Sequence, residues 1–186
     1  MSDYKYSESN FENSVIELFE KENYIYECGY DIHRTNEEII LIDDFKEYLF
    51  KRYPELSLQP EEIDAVIHNL LSARGTSLYE TMKATLAELR KGFVLDRSAY
   101  GLKDELIEYF NYDNAENNVF KVVNQFEVKD NAVRRPDVVV FINGIPVSVI
   151  ELKNLSDSSV KLHDAYVQLH IRYFRDIENL MRFSVI

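Results

Sequence analysis

Two apolar runs joined by an Asn-Gly pair constrain this chain more than any other feature. The segment from Arg135 to Asn154 reads RPDVVVFINGIPVSVIELKN. VVVFI and IPVSVI are too continuous for strands with one wet face, so both predict strands covered on both sides. Asn143-Gly144 between them is a hairpin signal. Charged residues stand at the ends of these runs: Asp137 before the first, Glu151 and Lys153 after the second. A buried carboxylate is costly unless a cation or a hydrogen-bond network compensates it.

The turn decides whether these charges meet. Side chains two apart on a strand share a face, so Glu151 and Lys153 point together while Leu152 points away. A strict two-residue turn sets Asp137 opposite Ile150, on the wrong face. A three-residue loop, or one bulged residue, sets it opposite Glu151. Gly144 suits a left-handed position and Pro146 cannot donate to the ladder. The segment therefore predicts a bulged or three-residue hairpin. On that geometry Asp137 and Glu151 are oxygen ligands of the kind Mg²⁺ takes, with Mn²⁺ as a substitute and the Leu152 backbone carbonyl as a further donor. Glu12 adds a carboxylate if the first helix packs beside the sheet. A metal there would polarise a phosphodiester and acidify a bound water, with Lys153 orienting that water or offsetting phosphate charge. A Glu-Leu-Lys triplet or a Pro-Asp step alone is commonplace. Their joint placement around two buried strands carries the reading.

Composition bounds the rest. The chain has 186 residues, 46% hydrophobic and 29% charged, as expected of a folded domain. No apolar run approaches the roughly 20 residues that span a bilayer, and MSDYKYSESN has neither region of a signal peptide. The single cysteine, Cys28, excludes an internal disulfide and suits a cytoplasmic location, as a packing residue. The net charge of −12 argues against a general nucleic-acid binder. That charge is uneven: residues 1–119 hold 12 Lys and Arg against 25 Asp and Glu, residues 120–186 hold 9 against 8. Any grip on DNA must come largely from elsewhere.

Along the chain, helical spacing predicts helices over 9–22, with Ser9 and Glu12 as a capping box, and over 43–52, 61–73, 77–91, 103–110 and 160–175. Tyr53-Pro54 and Gln59-Pro60 break the second and third. An extended segment is expected near Tyr24–Cys28, and strands over 119–128, 136–142 and 146–153, with Phe183–Ile186 leading towards another strand. The expected fold is α/β: a mixed sheet flanked by helices, largely helical to about residue 118, with the catalytic sheet and following helix over 119–186.

RRPDVVVFINGIPVSVIELKN closely resembles the nuclease motif of the restriction (HsdR-type) subunit of type I restriction–modification enzymes. VFKVVNQFEV resembles the strand leading into that motif, and SLYETMKATLAELRKGFVL its upstream helical segment. The resemblance covers about residues 77–180. It implies a restriction-endonuclease-like PD-(D/E)xK domain over 1–186, a piece of a larger ATP-dependent translocase subunit. It implies double-stranded DNA as substrate, Mg²⁺ as cofactor, methyltransferase and specificity subunits as partners, and Asp137, Glu151 and Lys153 as the catalytic set. No Gly-rich phosphate loop ending in Lys-Ser/Thr occurs, so ATP belongs to a motor outside these residues. The family also has Gln-x-x-x-Tyr on the helix after the lysine. Here Gln168 is followed by Tyr173, one residue further, which on a regular helix sets them about 140° apart. Gln168 stands as a supporting residue. Tyr173 stands between that role and a core or surface position, unless the helix is distorted.

Other candidates are weaker. His33, His68, His163 and His170 lack zinc-ligand spacing. The acidic runs Glu37–Asp44 and Glu61–Asp64 read as solvated helix ends, and Asn154-Leu155-Ser156 as a glycosylation acceptor without a secretion signal. Two alternatives stay open: a nuclease of the same fold from another repair or phage-defence system, or an acidic subunit-docking module with a degenerate site.

Overall fold

The computed structural model describes residues 8–153 and 162–184. Helix α1 (Glu8–Lys21) leads into strand β1 (Ile25–Cys28), followed by α2 (Ile42–Arg52), α3 (Pro60–Ser72) and α4 (Leu78–Lys91). A small antiparallel pair, β2 (Phe93–Leu95) and β3 (Glu105–Ile107), comes next. Then follow β4 (Phe120–Asn124), the short pair β5 (Val128–Lys129) and β6 (Val133–Arg134), and the hairpin β7 (Val138–Ile142) and β8 (Ile145–Ile150). The last part holds α5 (Leu162–Val167), a π-helical segment Gln168–Tyr173, α6 (Phe174–Asp176) and α7 (Glu178–Met181).

The main sheet has the order β1-β4-β7-β8, with β1 parallel to β4 and the other pairs antiparallel. It is a mixed sheet flanked by helices, the architecture expected of a restriction-endonuclease-like fold. Phe45 and Leu49 of α2 and Ile63, Val66 and Leu70 of α3 share one core with Val123, Val139 and Phe141 of the sheet. Helix α1 packs on β1 and β4 and buries Ile16. Val138 and Val139, successive on β7, are both fully buried, as two-sided coverage requires.

The hairpin turn is tight and the strand after it is not regular. Ile142 pairs with Ile145, which leaves Asn143 and Gly144 as a two-residue turn with φ of 52° and 77°. Both values are left-handed, the pattern whose twist suits a hairpin. Val140 then pairs with Ser148 but Phe141 with Pro146, so Val147 is the bulged residue. The bulged alternative is the one realised. Pro146 is accommodated because β8 is an edge strand. The turn itself is pinned in the interior. Asn143 is fully buried, accepts from the Val119 amide at 2.8 Å and donates to the Tyr109 carbonyl at 3.1 Å. Gly144 accepts from the Leu41 amide at 2.8 Å.

Several sequence expectations change. Residues 105–107 form β3 rather than a helix over 103–110, because Leu106 is exposed and Ile107 buried in alternation, paired along Phe93–Leu95. The strand expected over 119–128 breaks at Gln125, whose φ is 53°. Ser9 already lies within α1, and the Glu12 carboxylate serves the sheet rather than the helix end. The acidic runs are not simply solvated: Glu62 pairs with buried Arg97 at 2.7 Å and Asp44 with Lys121 at 2.6 Å. Phe183 follows α7 in a turn, while residues 185–186 and Asn154–Ser156 fall outside the described residues. Buried Arg182 closes the C-terminal end of α3, donating to the Leu70, Leu71 and Ala73 carbonyls and to Thr85 Oγ1 at 2.6–3.1 Å.

A Cβ at position 144 would lie 2.4 Å from the Leu41 carbonyl oxygen, in a left-handed conformation. Gly144→Ala should therefore lower the unfolding free energy by about 2 kcal/mol or more, read from urea denaturation midpoints.

Candidate functional site

The bulge at Val147 gives the site its shape. Val138 pairs with Ile150, so the next step along the hairpin sets Asp137 opposite Glu151. Asp137 Oδ2 accepts the Leu152 amide at 2.6 Å, which fixes the carboxylate at the sheet end. Lys153 Nζ lies 2.5 Å from Glu151 Oε1, and the Glu151 side chain is almost wholly buried. Leu152 is buried on the other face. The three charges that flank the hairpin in sequence thus come together in space.

Gln168 and Tyr173 join them through the π-helical segment. A π-turn pairs residues five apart, so it realigns two side chains that a regular helix would separate. Tyr173 donates its hydroxyl proton to Glu151 Oε2 at 2.7 Å, and Gln168 Nε2 donates to the Tyr173 oxygen at 2.9 Å. Tyr173 is 1% exposed. Burial, ahead of the neighbouring Glu151 charge, pushes its phenol far above the ordinary range, so it remains a donor. The distorted-helix alternative is the one observed, and it gives Tyr173 a position beside the carboxylate as well as in the core.

Glu12 arrives from α1. Its Oε1 accepts Asn124 Nδ2 at 2.6 Å and Gln125 Nε2 at 3.2 Å, rather than lying against Asp137 and Glu151. Asn124 and Gln125 were not singled out in the sequence. Their signal is the polar pair that interrupts VFKVV before Phe126. Among the described residues no three His, Cys, Asp or Glu side chains close into a metal-binding group, and His33, His68 and His163 are exposed. Cys28 is partly buried at the end of β1.

The electrostatics suit a cation with oxygen ligands. Burial pushes the Asp137 carboxyl up to about 6, against the pull of the Leu152 amide, with the Glu151 and Glu12 charges adding to the rise and Lys153 opposing it. Among the described residues, the Lys153 ammonium and the Glu151 and Glu12 carboxylates all act on Asp137. Asp137 and Glu151 offer carboxylate oxygens of the kind a hard divalent ion takes.

A family model described as "Type I restriction enzyme R protein N terminus" matches residues 5–186. The chain belongs to that family. Among its relatives, the type I restriction enzyme HindI endonuclease subunit of Haemophilus influenzae is 28% identical over 134 residues, 70% of this chain and 12% of that protein. A Methanocaldococcus jannaschii protein provisionally named type I restriction enzyme MjaIXP endonuclease subunit is 29% identical over 191 residues, 94% of this chain and 18% of that protein. This R protein N-terminal chain spans less than a fifth of the length of either relative. Among its described residues no helix is long and apolar enough to cross a membrane.

Two outcomes follow from the geometry. The folded Asp137 carboxyl takes up its proton near pH 6, whereas the unfolded chain does so near 3.8. Between those values the folded state binds more protons, so stability falls as pH rises and the deficit is complete above pH 6. In chelator, Asp137→Asn should therefore melt higher than wild type at pH 7.5, with the difference gone by about pH 4. Deleting Ile171, exposed within the π-helical segment, leaves Gln168 and the tyrosine four apart on a regular helix. Urea denaturation should show a loss below about 1 kcal/mol, since the deletion removes a distortion rather than a contact.

Proposed function

We propose that this chain is a metal-dependent endonuclease domain of the PD-(D/E)xK type, spanning residues 1–186 and cutting double-stranded DNA within a longer type I restriction subunit. The observation that carries this reading is the bulged hairpin, which sets Asp137 opposite Glu151 with Lys153 on the same carboxylate. Membership of the R protein N-terminal family supports it. Duplex DNA, and methyltransferase and specificity subunits, are the expected partners, in the cytoplasm. ATP would serve a translocating motor elsewhere in the subunit.

Asp137 and Glu151 would hold Mg²⁺, or Mn²⁺ in its place, with the Leu152 carbonyl as a backbone donor. When bound, the ion supplies Lewis-acid polarisation of the phosphodiester and a more acidic water. The protein's own groups account for the remainder. Tyr173, oriented by Gln168, holds Glu151 Oε2 and fixes the carboxylate plane. Lys153 sits on Glu151 Oε1, where its ammonium can orient the attacking water and offset charge developing on the phosphate. The Leu152 amide keeps Asp137 facing the same point. The acidic surface of residues 1–119 disfavours a tight hold on DNA, consistent with delivery of the duplex by other parts of the complex.

The test is Lys153→Ala in the assembled parent complex, assayed for plasmid cleavage and ATP hydrolysis together. Cleavage should fall by about a hundredfold or more while ATP hydrolysis stays at the wild-type rate. Cleavage at the wild-type rate would make the triplet an ordinary strand end, and the docking-module reading would replace this one.

A further inference from the structure

Glu12 is anchored at the end of β4. Its hydrogen bonds to the sheet come from neutral amides: Asn124 Nδ2 at 2.6 Å, and Gln125 Nε2 at 3.2 Å to Oε1 and 3.4 Å to Oε2. Neutral donors satisfy the carboxylate's lone pairs without cancelling its charge. The sheet register brings that charge to the pair, because Asn124 is paired with Val138, the residue that follows Asp137.

The amides are themselves set in place. Tyr26 donates its hydroxyl proton to Asn124 Oδ1 at 3.1 Å, which turns the Asn124 NH₂ towards Glu12. Gln125 has a φ of 53°, a left-handed conformation unfavourable for any residue with a Cβ. It lies where β4 stops, and the chain after β1 closes against it. The Gly29 amide donates to the Asn124 carbonyl at 2.8 Å, and a Cβ on Gly29 would stand 2.6 Å from the Gln125 carbonyl oxygen. A strained glutamine and a glycine that alone fits beside it thus point one amide at one carboxylate. Strain of this kind persists where the surroundings over-determine it, and it clusters at functional sites.

We propose that Asn124 and Gln125 are positioning residues that hold Glu12 beside the Asp137–Glu151 pair but outside it, as an outer acceptor for water carried by a divalent cation bound there. This rests on the metal-dependent reading above. Mg²⁺ gives up its water reluctantly, so a site with few direct protein ligands leaves several waters to be oriented by second partners. Glu12 is suited to that part because it adds negative charge and acceptor capacity without joining Asp137 and Glu151 in one ligand cluster. Loss of such an outer partner typically costs about 10–100-fold in metal affinity.

The experiment is a Mn²⁺ titration of the intact chain, followed by the paramagnetic resonance signal of the free ion. It compares wild type, Asp137→Asn, Glu12→Gln, Gln125→Ala and the Glu12→Gln/Gln125→Ala double variant. Asp137→Asn should remove tight binding. Glu12→Gln and Gln125→Ala should each weaken it about tenfold, and the double variant should be no weaker than Glu12→Gln alone. Wild-type affinity in Gln125→Ala, or losses that multiply in the double variant, would overturn the positioning role. Wild-type binding that is lost in Asp137→Asn but unmoved by Glu12→Gln would overturn it while leaving the metal reading intact. Absence of carboxylate-dependent binding in wild type would remove both. Should Gln125→Ala unfold, Tyr26→Phe takes its place in the same cycle, since it only releases the Asn124 amide.

Discussion

One unpaired residue, Val147, sets the register on which the candidate site depends. Side-chain direction on a strand alternates with period two, so a single extra residue exchanges the two faces of everything beyond it. Without it, Asp137 and Glu151 would stand on opposite faces of the same hairpin. The surroundings hold the register from the other end. The Asn143-Gly144 turn is buried and bonded to Val119, Tyr109 and Leu41, so the hairpin cannot slide to relieve the bulge. The irregularity is therefore confined between a fixed turn and a fixed sheet end. Such placement re-aims side chains, as bulges beside active sites commonly do.

A second irregularity answers the first from the facing helix. The π-helical segment Gln168–Tyr173 absorbs one residue, much as Val147 does in the strand. Each element gains a residue relative to its ideal period, and each gain points a side chain at Glu151. The result is a carboxylate with both oxygens engaged, one by Lys153 and the other by Tyr173. Asp137 has the Leu152 amide but no ion-pair partner of its own among the salt bridges of the described residues, and its carboxyl is raised to about 6. Glu62 meets Arg97, and Lys121 lies between Glu27 and Asp44. The contrast sets the sheet end apart from the paired charges of the core.

Much of this was legible in the sequence where the physics is local. The helices over 43–52, 61–73 and 77–91 follow from spacing and from Pro54 and Pro60, and the hairpin follows from Asn143-Gly144 between apolar runs. The need for a bulge or a three-residue loop was legible too, because only one register lets the charges meet, and the structure takes the bulge. What local rules missed was decided by distant partners. Residues 105–107 have too short a pattern to declare a strand until Phe93–Leu95 lies beside them. Glu12 looked like half of a capping box because Ser9 precedes it by three, and only the approach of Asn124 and Gln125 shows where its carboxylate goes. The spacing of Gln168 and Tyr173 leaves a distorted helix and an unrelated tyrosine both open, because nothing local in the sequence announces a π-turn.

Arg182 has a consequence for how the molecule comes into being. Its guanidinium closes the end of α3, more than a hundred residues earlier in the chain, while Tyr173 and Glu12 bracket the candidate site from nearly opposite ends of the sequence. During synthesis at roughly 5–20 residues per second, α1 to α4 emerge well before the partners they need. The carboxylate pair can be set by the hairpin alone, but its supporting tyrosine and the plug on α3 arrive only with the final stretch. The complete candidate site is therefore a late event on the ribosome, reached after nearly all of this region has been made.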